Sequence, residues 1–129
     1  MELRFNATEI GCVEENDVLV CGASNSKSED PDHYVTFQQW ADPDYEDDDK
    51  RIHFQIDDQI NGNYDLLASC SVSRSEISIL LLRDVPWHPG LERIVISCDA
   101  CPQEQFNSLV AGLRRVFRDR PEDLHIDQQ

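Results

Sequence analysis

Two cysteines three positions apart, Cys98 and Cys101 in "ISCDACPQEQF", stand where an apolar run gives way to a helical pattern. A Cys-x-x-Cys pair at a helix start can supply a reactive thiolate for redox exchange, or half of a zinc site. The surroundings argue against both. A thioredoxin-like pair opens the first long helix of a βαβ unit, with a second half still to come. Here Cys98 ends the last expected strand and Cys101 precedes the last expected helix, at the N-cap position, where a lowered thiol pKa is plausible. Zinc would need a second Cys-x-x-Cys or a His pair, whereas Cys12, Cys21, Cys70 and the four histidines are scattered. The pair reads as the corner of a fold. Other chemistry is equally absent: there is no phosphate-cradling glycine loop, no nucleophile elbow and no His-Glu-x-x-His. His33, His53, His88 and His125 all sit in polar local sequence, which favours surface or structural roles, with His53 on the solvent face of its strand. The expectation is a protein that is not an enzyme and uses no cofactor and no metal.

What remains is charge. The 129 residues carry a net −15, and the excess is uneven: residues 1–65 hold 17 acids and 4 bases, residues 66–129 hold 9 acids and 7 bases. Such a field repels nucleic acid and anionic membranes and attracts basic proteins. The densest stretch is "WADPDYEDDDK", where Asp42, Asp44, Glu46, Asp47, Asp48 and Asp49 surround Tyr45 and follow Trp40. Calcium would need glycine at the sixth loop position and glutamate at the twelfth; those positions hold Asp47 and His53, and no helices flank them. A solvated acidic loop is the plain reading. Aromatic residues set among like charges describe a protein-binding surface better, so Trp40, Asp42, Asp44, Tyr45, Glu46, Asp47, Asp48 and Asp49 are the candidate partner-binding residues.

The elements that must carry this loop are mostly strands. "RIHFQID", "LASCSVS" and "EISILLL" alternate with a period of two, and shorter candidates lie at 3–7, 18–22, 34–40 and 93–98. Strands so close in sequence predict an antiparallel meander. Asn61-Gly62 is a hairpin signal, in competition with Asp57-Asp58. The proline-bounded 84–90 reads as a loop. Phe106, Leu109, Val110, Leu113, Val116 and Phe117 share one helical face, with Pro102 at the first helical position and Pro121 at the end. The fold class expected is α+β: one domain, 1–129, with an antiparallel sheet of six or seven strands and one C-terminal helix packed on one face. "MELRFNATEI" lacks the basic start and apolar stretch of a leader, and no apolar run is long enough to span a bilayer; with an odd number of cysteines this predicts a cytoplasmic chain with reduced thiols.

The order Tyr34-Val35-Thr36-Phe37-Gln38, then "FQIDDQINGNYDLLASCSVSRSEISILL", then "FNSLVAGLRRVF" resembles the family catalogued as immunity protein ten, from bacterial polymorphic toxin systems. Gln38, Gln59, Tyr64 and Val116-Phe117 fit its pattern, over the stretch 34–117, while "YDLLASC" stands where that pattern has Gly-Gly-Ile. The resemblance implies an immunity protein that binds and neutralises a cognate toxin domain. An acidic surface would suit a basic, nuclease-like active site. The competing expectation is an acidic secretion chaperone, which would show an exposed apolar stripe on the C-terminal helix.

Overall fold

The computed structural model describes residues 1–26, 32–44 and 51–127. The candidate residues Tyr45, Glu46, Asp47, Asp48 and Asp49 lie outside them. Among the described residues nine strands precede the helix: β1 (Glu2–Asn6), β2 (Glu9–Glu15), β3 (Val18–Ser24), β4 (Tyr34–Trp40), β5 (His53–Ile56), β6 (Asp58–Asn63), β7 (Leu67–Val72), β8 (Glu76–Leu81) and β9 (Arg93–Ser97). After α1 (Gln103–Val116) come a 3-10 turn at Pro121–Asp123 and a three-residue strand, β10 (Leu124–Ile126). The α+β class with a C-terminal helix packed on a sheet stands. The single sheet of six or seven strands does not: the described residues form two five-stranded sheets, ordered β1-β9-β8-β7-β10 and β2-β3-β4-β5-β6. Nor is the pairing a pure meander, because β1 runs parallel to β9 and β10 parallel to β7.

Local chemistry explains the path. The chain passes between sheets at Ala7 and Thr8, whose N–H groups donate to Ser97 and Ser24 carbonyls in different sheets. Asn16 and Asp17, at φ 53° and 66°, form the two-residue turn between β2 and β3, a conformation Asn and Asp tolerate well. Asn61-Gly62 is not a turn: both residues lie inside β6, and the reversal occurs at Asp57, φ 64°. Asn61 is buried, and its amide ties the Ile56 carbonyl to the Trp87 N–H, so tertiary bonds outcompete its turn propensity.

One hydrophobic cluster draws on both sheets and the helix. Phe106, Leu109, Val110, Leu113 and Val116 are buried along α1, as is Phe117 at its C-cap. Phe37 stands at the cluster's middle, 5.0 Å from the Phe54 ring and 6.3 Å from the Phe117 ring. The helix also closes a sheet edge. Gln105 Oε1 accepts from Ile10 N–H at 3.1 Å, and Ser108 Oγ accepts from Cys12 N–H at 3.2 Å while donating to the Cys12 carbonyl at 3.3 Å. Gly112 follows one turn later, because no side chain fits between the helix and β2 there. Pro102 is the N-cap residue, so the helix starts one residue later than the sequence suggests and Cys101 lies outside the cap. Among the described residues no helix is long and apolar enough to cross a membrane.

Candidate protein-binding surface

Cys98 and Cys101 lie at the corner between β9 and α1. Both thiols are buried and donate to backbone carbonyls, Cys98 to Arg74 at 3.2 Å and Cys101 to Ala7 at 3.5 Å. Burial pushes Cys98 up to about 11 and raises Cys101 as well, opposite to the lowering a helix-cap thiol would show. Arg74 secures this corner: its guanidinium donates to the Cys98 carbonyl at 3.1 Å and the Cys101 carbonyl at 2.6 Å, over the Phe106 ring.

The acidic candidates start at the end of β4. Trp40 is half-buried, and Arg118 donates to its carbonyl at 2.6 Å; Arg115 donates to the carbonyl of Ala41, the next residue. Two arginines of the helix end thus fix the base of the acidic segment. Asp42 and Asp44 are exposed, and Asp42 Oδ1 accepts from the Asp44 N–H at 2.8 Å in a local turn.

Register places Trp40 on a larger surface. In β3 and β4, Leu19, Cys21, Ala23, Val35, Phe37 and Gln39 point inward and are buried. Alternation then turns Val18, Val20, Tyr34, Thr36 and Trp40 outward, with Trp40 opposite Val18. Val13 extends this face across β2 and is 61% exposed; Tyr64, beyond β6, is 43% exposed. Trp40, Val18, Arg51, His53 and Tyr64 line a small pocket of about 110 Å³. Within it the Arg51 guanidinium lies 5.6 Å from the Tyr64 ring centre, and the His53 ring meets Tyr64 edge-on at 5.0 Å. Burial lowers the His53 pKa.

Further along the same face Gly11 pairs with Gly22, and two facing glycines leave the sheet bare. The result is a groove of about 550 Å³, mostly apolar, walled by Val13, Val20, Tyr34 and Thr36 and edged by Glu9 and Glu104. No α1 residue covers the face beyond this edge; the helix packs on the other side, against inward residues such as Cys21. Thr36 Oγ1 and His53 Nδ1 are shut off from solvent with no hydrogen-bond partner among the described residues. Carboxylates border the face at Glu9 and Glu104, beside the groove, and at Glu15, opposite Val18. The arrangement is an apolar and aromatic centre with an acidic border.

The sequence singles out Trp40 and the two aspartates as candidates but not the face behind them. The signal was there: "VLVC" in β3 is apolar on both sides, which a strand with one solvated face does not require. A histidine cluster was missed as well. His33 Nδ1 and His88 Nε2 lie 3.1 Å and 2.8 Å from Asp57 Oδ2, and Asp57 Oδ1 accepts from the Tyr34 N–H at 3.1 Å. His33 also stacks on Phe5. Three segments distant in sequence are clasped by one carboxylate, side chain 7% exposed. Among the described residues no group of three or more His, Cys, Asp or Glu is arranged to hold a metal ion. Compared with protein-family models, with curated proteins and with solved structures, the chain matches none of them.

Proposed function

We propose that this chain is an immunity-type inhibitor that binds and neutralises a basic toxin domain. It would dock through the outer face of the β2–β6 sheet and the acidic segment that leaves it at Trp40. The observation that carries the reading is the uncovered face: Val13, Val18, Val20, Tyr34 and Trp40 side by side, bordered by carboxylates, on a chain of net charge −15. The apolar centre supplies contact area and the carboxylates steer and orient a cationic partner, as anionic substrate would be steered to a nuclease groove. The sequence resemblance to immunity proteins points the same way. The chaperone alternative loses support because the apolar stripe of α1 is turned into the core rather than offered to an effector segment.

The test is a protection assay with the toxin domain encoded beside this chain's gene, with binding kinetics at low and high salt. Val13→Arg puts a like charge against the partner at a position already exposed, so the fold is retained while dissociation speeds up at least about tenfold. Trp40→Ala acts on dissociation by about 2–4 kcal/mol if it is an anchor. Replacing Asp47, Asp48 and Asp49 by Asn slows association and flattens its salt dependence, because screening acts over about 8 Å in physiological salt. Unchanged protection and unchanged kinetics in all three variants, with parental unfolding midpoints, refute the proposal.

A further inference from the structure

Under the helix, on the inward side of the same sheet, two further cysteines face each other. Cys12 of β2 is directly opposite Cys21 of β3. The pair is of the non-hydrogen-bonded kind: the Cys12 N–H and carbonyl both turn away from β3, to Ser108 Oγ. Counting outward from the two-residue Asn16–Asp17 turn gives the same answer independently. Such pairs bring Cα atoms to about 4.5 Å, at the short end of the range a disulfide spans. The sulfurs converge on one spot: a Cβ built on Gly112 would lie 2.3 Å from Cys12 Sγ and 2.7 Å from Cys21 Sγ, so the two can be at most about 5 Å apart. The missing side chain at Gly112 is what gives them this space. Both thiols are free.

We infer that Cys12 and Cys21 form a reversible cross-strand dithiol–disulfide site, oxidised by low-molecular-weight disulfides. Their roles differ. Cys12 is partly exposed at the seam between β2 and α1, whereas Cys21 is fully buried. A hydrogen bond from the Cys21 thiol and the nearby Arg115 cation lower the Cys12 pKa, and the same bond together with burial raises that of Cys21. Cys12 is therefore the attacking thiolate. It attacks one sulfur of the small disulfide and expels the first thiolate, leaving a mixed disulfide on Cys12. Cys21 gives up its proton and attacks the Cys12 sulfur, expelling the second thiolate. The two expelled thiolates take up the two protons; the protein loses two electrons and the oxidant gains them. A cross-strand bond at the short limit of disulfide geometry is readily reduced again, as labile disulfides are. Cys98 and Cys101, held by backbone carbonyls with raised pKa values, do not compete.

The folded protein is incubated with oxidised glutathione, quenched with an alkylating agent and digested by a protease cutting after glutamate. Cleavage at Glu14 or Glu15 separates the two cysteines. A disulfide linking the Cys12 and Cys21 fragments, cleaved by dithiothreitol, is the expected product. Cys21→Ser halts the reaction at a glutathione adduct on Cys12. In the unmodified chain iodoacetamide labels Cys12 at least about tenfold faster than Cys98 or Cys101, which tests the site without any substitution. A Cys21–Cys70 or Cys98–Cys101 disulfide as main product, no disulfide under folding conditions, or Cys12 labelled no faster than the buried thiols overturns the inference.

Discussion

Gly112→Ala tests how closely the helix is seated on β2. The new Cβ would stand 2.3 Å from Cys12 Cβ as well as from its sulfur, against about 3.5–4.0 Å for carbon atoms in contact. A sulfur can rotate away, but a Cβ moves only with its backbone. The helix must therefore retreat by more than about 1 Å, and its bonds to the edge strand, already 3.1 to 3.3 Å long, are stretched or lost. Overpacking costs about 1–3 kcal/mol and each lost bond about 1 kcal/mol, while alanine's better helix propensity returns about 1 kcal/mol. The net loss is about 2–4 kcal/mol. With a urea dependence of about 2 kcal/mol per molar, the midpoint falls by about 1–2 M under reducing conditions. Gly90→Ala is the control: nothing lies within 4 Å, so only its positive φ of 82° is penalised, at about 1 kcal/mol. A Gly112→Ala midpoint at or above the parent's would refute this seating of the helix.

Leu109→Ala empties a side chain 1% exposed on the buried helix face and costs about 2–5 kcal/mol, read from thermal or urea unfolding. Asp57→Ala leaves the Tyr34 N–H and two histidines without their shared acceptor and costs about 2–4 kcal/mol, whereas Asp57→Asn keeps a side-chain oxygen for Tyr34 and tolerates the positive φ, so it costs less in the same assay. His53 has its pKa lowered from 6.5 by burial, so the unfolded chain takes up that proton first. Its contribution is intact above pH 6.5 and is lost as pH falls through 6.5 towards the folded pKa; His53→Gln makes the melting temperature less sensitive to acid over that window.

How far this was legible follows from which forces are local. The helix face from Phe106 to Phe117 is written in its period, and seven strands in theirs. β2, "EIGCVEE", gives no such signal because its stability comes from β3 on one side and from Gln105 and Ser108, almost a hundred residues away, on the other. β6, "DQINGN", has the composition of a turn and becomes a strand because Asn61 is held by tertiary bonds. Alternation looks the same in one sheet or two, so the division into two sheets and the parallel pairings β1·β9 and β7·β10 left no mark. The clasp of His33, Asp57 and His88 joins three loops through topology alone. Trp40, by contrast, was legible as the end of a strand because composition changes abruptly after it.

The way the edges are closed bears on how a partner can bind. A strand edge with free N–H and C=O groups invites an incoming peptide to extend the sheet, with affinity coming from backbone bonds and little from side-chain charge. At β2 that route is occupied: the outward N–H groups of Ile10 and Cys12 and the Cys12 carbonyl are all bonded to helix side chains, and Gly112 leaves no gap for another chain. Strand addition there would require peeling α1 away, at the cost of its buried face. Docking on the outer face disturbs none of these bonds. It presents the partner with side chains rather than backbone, an aromatic and aliphatic centre within a border of carboxylates, and so makes recognition depend on shape and charge. A partner bound in this way dissociates according to how well it fills the groove at Gly11 and Gly22, and associates according to its own positive charge. The same geometry places the Cys12–Cys21 pair directly behind the proposed docking face, on the strands that form its groove.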